Sequence, residues 1–186
     1  MMIKTWQIVL PLGILSLVVL FYHGLYGNAS YIPPVIINTK APDIVAADLY
    51  DEGKNIQLSD YKGKVVVLNF WASWCRECAL EHRSLLEINQ RYENDARFVM
   101  IGVNYQDKID LAKGYLEKYG NNFRHLRDFS GRVSIDYGIY GVPETFVIDQ
   151  NGFIRHKSIG PILGETYTHL VEKIIEPLLK GERLNG

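Results

Sequence analysis

The sequence predicts an α/β fold: a mixed central β-sheet with helices on both faces, and one N-terminal transmembrane helix ahead of it. Three observations carry that prediction. A long stretch free of Asp, Glu, Lys and Arg opens the chain, between Lys4 and Lys40. The β-branched run Val65-Val66-Val67-Leu68-Asn69-Phe70 is followed by helical apolar spacing and then by a second apolar run at 97–103, the pattern of a βαβ unit. Lastly, Asn151-Gly152 sits between two strand-like segments and marks a hairpin turn.

The opening segment is apolar almost without interruption over residues 8–22. A membrane span needs about 17–25 mostly apolar residues, and residues 6–25 supply that length. Trp6 at one end and Tyr22, Tyr26 and Tyr31 at the other suit the two interfacial belts, and Pro11 and Gly13 fall near the start, where a spanning helix tolerates them. Lys4 precedes the run and no cation follows it closely, so the rest of the chain is expected on the exported side. A cleaved secretory signal, with Gly27-Asn28-Ala29 ahead of Ser30, is the alternative, and it too places the folded part in an oxidising compartment. The expected organisation is an anchor over 1–27, a linker with Pro33-Pro34 over 28–41, a domain over 42–180 and a tail over 181–186.

Within the domain, residues 44–48 and 55–58 flank the turn residues Asp51-Glu52-Gly53 and predict a hairpin. Residues 65–70 read as a buried central strand, and Ala79, Leu80, Leu85, Leu86 and Ile88 give the apolar stripe of a following helix. Residues 97–103 form a second core strand, 109–119 a helix stopped by Gly120, and 131–137 a short helix. Strands over 145–149 and 153–159 make the second hairpin, and a terminal helix runs from about 163 towards 179, disturbed near its end by Pro177.

Lys and Arg number 20 against 21 Asp and Glu, for a net charge of −1, without the basic excess of a nucleic-acid binder. Two cysteines exclude both a disulfide-stapled small fold and a four-cysteine zinc module. Those two, Cys75 and Cys78, lie where the first core strand hands over to a helix. Free N–H groups and the helix dipole favour negative charge there, and the thiolate is the reactive form of cysteine. Cys75 is therefore the expected nucleophile, with Cys78, one turn on, the thiol that resolves a mixed disulfide. A zinc half-site of Cys75, Cys78 and His82 lacks a second cysteine pair, and haem attachment would need His where Ala79 stands, so no metal or cofactor is expected. A purely structural bridge would close too short a loop to matter for stability.

The segment from Phe70 through Trp71-Ala72-Ser73-Trp74-Cys75-Arg76-Glu77-Cys78 resembles the active site of the thioredoxin superfamily. Gly102-Val103-Asn104-Tyr105 and the stretch from Tyr137 through Gly141-Val142-Pro143-Glu144-Thr145-Phe146 to Asp149 are similar to the CcmG/DsbE family of cytochrome c biogenesis. That resemblance implies a thioredoxin-like fold, anchored by a single pass in the bacterial inner membrane with its C-terminal domain in the periplasm. It implies a thiol:disulfide oxidoreductase that keeps the CxxCH cysteines of apocytochrome c reduced for haem ligation, directly or through a CcmH-like thiol protein. Electrons would come from a membrane donor of the DsbD/CcdA type, and the cysteine pair would cycle through a Cys75–Cys78 disulfide. A broader TlpA/ResA-like exported thioredoxin and a non-catalytic module that holds an apoprotein are the competing readings.

Two departures stand out. Arg76-Glu77 replaces the proline-bearing pair of many relatives, and Asn69 stands where thioredoxins carry a buried Asp. An amide cannot shuttle a proton, which turns attention to Glu81. Three residues after Cys78, it shares a helix face with that thiol; burial there would raise its pKa, and the resemblance assigns a glutamate at this position proton exchange with Cys78. The bland reading is a solvated carboxylate paired with a neighbour such as Arg83. By resemblance, the Val142–Pro143 bond is cis and presents the Val142 backbone to substrate, with Glu144 lining the same groove. Trp74 is expected as an apolar wall beside Cys75, Tyr105 and Tyr140 as the frame of the groove, and Trp71 as core. His82, His125, His156 and His169 read as surface or structural residues.

Overall fold

A computed structural model of the protein describes residues 5–26, 37–182 and 184. Residue 27 of the expected anchor and residues 28–36 of the expected linker, with the interfacial Tyr31 and the alternative cleavage site, lie outside the described residues, as do residues 1–4 and residues 183, 185 and 186 of the tail. The chain divides into two compact units, Met1–Val35 and Ile36–Gly186. The first contains helix α1 (Trp6–Tyr26), whose apolar side chains, such as Leu10, Leu17 and Phe21, are exposed. Among the described residues no helix is long and apolar enough to cross a membrane.

The second unit is built on a seven-stranded mixed sheet. Its elements, in chain order, are β1 (Val45–Asp48), β2 (Asn55–Gln57), a 3-10 turn (Leu58–Tyr61), β3 (Val65–Trp71), α2 (Arg76–Tyr92), β4 (Phe98–Tyr105), α3 (Ile109–Tyr119), β5 (Arg124–Asp128), α4 (Arg132–Asp136), β6 (Glu144–Ile148), β7 (Ile154–Ile159), α5 (Gly164–His169) and α6 (Glu176–Leu179). The strands lie in the order β2-β1-β5-β4-β3-β6-β7. β4 runs parallel to both β3 and β5, whereas β6 pairs antiparallel with β3 and β7. This is the mixed sheet the sequence predicts, and it has the thioredoxin-like arrangement.

β3 is buried along its whole length because both faces of the sheet are covered. Val65 and Val67 point into a core completed by Leu85 and Ile88 of α2 and by Leu170 and Ile175. Val66, Leu68 and Phe70 point the other way, onto Tyr137, Phe146 and Ile154. The alternation also decides where Asn69 goes: it shares the parity of Val67 and therefore faces α2.

One strand departs from the sequence reading. β5, Arg-His-Leu-Arg-Asp, carries no apolar alternation, yet it pairs with β4 and β1. Its arginines keep their charges towards acids on the neighbouring hairpin, Arg124 to Asp48 at 3.6 Å and Arg127 to Glu52 at 3.0 Å, while Leu126 enters the core. The terminal helix also differs in detail. Between α5 and α6 it passes through a π-helical turn, Leu170–Ile175, just before Pro177, which has no N–H to continue the ladder.

Candidate active site

β3 ends at Trp71 and α2 begins at Arg76, so the cysteine pair occupies the junction between a central strand and a helix N-terminus. Cys75 is the N-cap of α2, and its Sγ accepts the backbone N–H of Cys78 at 3.0 Å. Cys75 and Cys78 form a disulfide, and both are buried, the second almost completely. Across the gap, the Val142 carbonyl oxygen lies 3.4 Å from Cys75 Sγ, and the Val142–Pro143 peptide bond is cis.

The loop ahead of Cys75 is held by a residue that the sequence reading passed over. Buried Asp107, just past the end of β4, accepts the Ser73 N–H at 2.6 Å and the Ser73 hydroxyl at 2.9 Å. It also accepts from the Asn104 amide at 3.1 Å and the Lys108 N–H at 2.8 Å. Its partners Ser73 and Asn104 belong to motifs visible in the sequence, but Asp107 does not. Asp107 looks like any loop acid until the parallel pairing of β3 and β4 brings their C-terminal ends together.

Glu81 is fully buried one turn below Cys78. Its carboxylate accepts from the Asn69 amide at 2.9 Å and from the Ile162 N–H at 2.7 Å, and the same amide group of Asn69 donates to Thr145 at 3.0 Å. Burial outweighs those two hydrogen bonds and pushes the Glu81 carboxyl up to about 7. Arg83, the partner of the bland reading, instead pairs on the surface with Glu87. Asn69 thus occupies the position of the missing Asp as a holder of the acid.

On the other side of Cys78 lies a largely aromatic cluster. Cys75 and Cys78 pack with Trp71, Tyr115 and Leu116 of the strand end and α3. Trp71 meets both Tyr115 and His125, and His82 meets Tyr115. His125 is not a surface residue: it is buried, and burial holds its imidazole down to about 3, so it stays neutral. His82 is also depressed by burial, its ring nitrogen paired with the Gly120 carbonyl at 2.8 Å. Trp71 is core, as expected.

Around the sulfur, Trp74 is 60% exposed and Tyr140 68% exposed, and Trp74 meets the half-buried Tyr105 ring edge-on with centroids 6.4 Å apart. Glu144 requires a correction. It does not line the groove but turns inward, 1% exposed, where Oε1 accepts the Tyr140 N–H at 2.8 Å and Oε2 lies 2.7 Å from the Lys157 ammonium. The sequence offered no sign of this pairing, because Lys157 comes from β7, on the far arm of the hairpin.

A redox-active cysteine pair capping a helix, a buried acid beneath its second sulfur and a backbone carbonyl facing its first define a thiol–disulfide oxidoreductase of the thioredoxin fold. The AhpC/TSA family matches residues 37–157, and the chain belongs to it. Within that class, the curated relatives make this a member of the DsbE group of thiol:disulfide interchange proteins. It is 36% identical to DsbE of Allochromatium vinosum over 89% of this chain and 91% of that protein. Identity to DsbE of Pseudomonas aeruginosa is 30% over 92% and 94% of the two chains. Among solved structures, a chain described as DsbE from Chlorobium tepidum superposes with a TM-score of 0.67 at 29% identity, covering 75% of this chain and 95% of that one.

Proposed function

We propose that this protein is a membrane-anchored reductant of the bacterial periplasm acting in cytochrome c maturation. It keeps the CxxCH cysteines of apocytochrome c reduced for haem ligation, directly or through a CcmH-like thiol protein. The observation that carries the reading is the pairing of Cys75–Cys78 with a buried acid, Glu81, whose carboxyl titrates near neutrality. In the dithiol form the Cys75 thiolate attacks a sulfur of the target disulfide, releasing one target thiolate and forming a mixed disulfide. Glu81 takes the Cys78 proton, and the resulting thiolate attacks Cys75 Sγ. The second target thiolate leaves, and the Cys75–Cys78 disulfide remains.

Two electrons and two protons must then return from a donor, for which a membrane protein of the DsbD/CcdA type is the fitting class. The apolar helix α1 supplies the anchor in this reading, with the positive end inside. Trp74, Tyr105 and Tyr140 frame the surface that receives the target chain beside Val142 and Pro143. In a strain carrying Cys75→Ser, holocytochrome c should be lost while other exported disulfide proteins fold normally. Normal cytochrome levels would overturn the role, and broad disulfide defects would favour a TlpA/ResA-like general reductant.

A further inference from the structure

We propose that Lys157 is a positioning residue for the exchange reaction: by neutralising buried Glu144, it locks the 138–142 turn so that the Val142 carbonyl stays against Cys75 Sγ. The inference rests on the oxidoreductase reading of Cys75 and Cys78 and is independent of cytochrome c.

The side chain of Lys157 is 5% exposed, and its ammonium has three neighbours. The Glu144 carboxylate lies at 2.7 Å, the Gly138 carbonyl oxygen at 3.2 Å, and the face of the buried Phe146 ring 5.1 Å away at its centroid. The ion pair is close but not aligned as a hydrogen bond, so its work is to cancel charge. The other Glu144 oxygen accepts the N–H of Tyr140 at 2.8 Å and of Gly141 at 3.4 Å. The two side chains therefore grip the turn from both ends, Lys157 at Gly138 and Glu144 at Tyr140 and Gly141. The next residue, Val142, presents its carbonyl 3.4 Å from the attacking sulfur.

A buried carboxylate keeps its charge only while a partner compensates it. Without Lys157, Glu144 must either take a proton or drag the turn towards water. In both cases the carbonyl loses its fixed place. A carbonyl held there accepts a hydrogen bond from the Cys75 thiol and repels the thiolate, so releasing it makes the thiolate easier to form.

The test follows the alkylation rate of Cys75 in the reduced protein as a function of pH. The other charged groups on the surrounding elements, Arg76, Glu77 and Glu81 on α2 and Asp107 behind Ser73, are unchanged throughout. In Lys157→Met the apparent Cys75 pKa should fall by about half a unit or more, whereas Lys157→Arg should restore it. A double variant, Glu144→Met with Lys157→Met, has no unpaired buried charge and should show the same fall, and it decides the matter alone if the single variant does not fold. An unchanged pKa in either folded variant overturns the clamp, as does an arginine variant that behaves like methionine. A wild-type protein whose cysteines fail to exchange with glutathione overturns both the clamp and the reading beneath it.

Discussion

Glu81 shows how one residue can be placed by spacing and explained only by tertiary structure. Its position three residues after Cys78 puts the two on one helix face, and that much is visible in the chain. The depth of its burial is not, because Asn69 and Ile162, which hold the carboxylate, come from a strand and from a loop distant in sequence. The consequence for stability has a definite sign. The folded-state value of about 7 lies above the ordinary 4.5, so the folded protein holds an extra proton between those limits. The stability that this group contributes is therefore full below about pH 4.5 and is lost as pH rises through 7, by up to about 3 kcal/mol. Buried His125, held down to about 3, acts in the opposite sense below about pH 6.5, so the Glu81 contribution is read as a difference: in chemical denaturation, the stability of the oxidised wild type relative to Glu81→Gln should decline across that window. The same variant should slow disulfide reduction and change its pH profile, and an unchanged profile would remove Glu81 from the mechanism.

At the level of elements, burial leaves a pattern in some segments of the sequence and none in others. The wholly apolar β3 and the Asn151-Gly152 hairpin were legible because a covered sheet and a tight turn each restrict composition. β5 was missed because its charged side chains reach salt-bridge partners beyond the strand, leaving a polar string with one leucine in the core. Glu144 was misplaced for a related reason: the cation that lets it be buried arrives from a different strand. β4 offers a direct check on close packing. A Cβ on Gly102 would collide with the ring of His125 and approach Trp71 Nε1 to 2.9 Å, so the strand carries glycine there out of necessity. Gly102→Ala should cost about 1–3 kcal/mol in denaturation experiments, with part of the loss recovered when His125 is also reduced to alanine. Asp107→Ala, which strips four hydrogen bonds from the loop and its surroundings, should cost a similar amount, about 1–3 kcal/mol, and should speed proteolysis near Ser73.

On the scale of the whole molecule, the chain holds an apolar helix and a domain whose described core is built from its own sheet and the helices on both of its faces. The reading proposed above therefore predicts separable parts. Deleting residues 1–27 should move the protein from the membrane fraction to the soluble fraction while leaving its rate of reduction of a CxxCH disulfide peptide within about twofold, a free-energy change of about 0.4 kcal/mol. Loss of exchange in the soluble form would show that the helix does more than tether.

The three tryptophans are distributed so that the molecule carries its own optical reporter. Trp6 sits in the apolar helix and Trp71 is enclosed beside His125, but Trp74 stands in water immediately before the reactive sulfur. Its long-wavelength emission should be quenched while the neighbouring disulfide is closed and brighten when it opens. Electron delivery, target docking and release can then be timed in unlabelled protein, with Trp74→Phe as the blank.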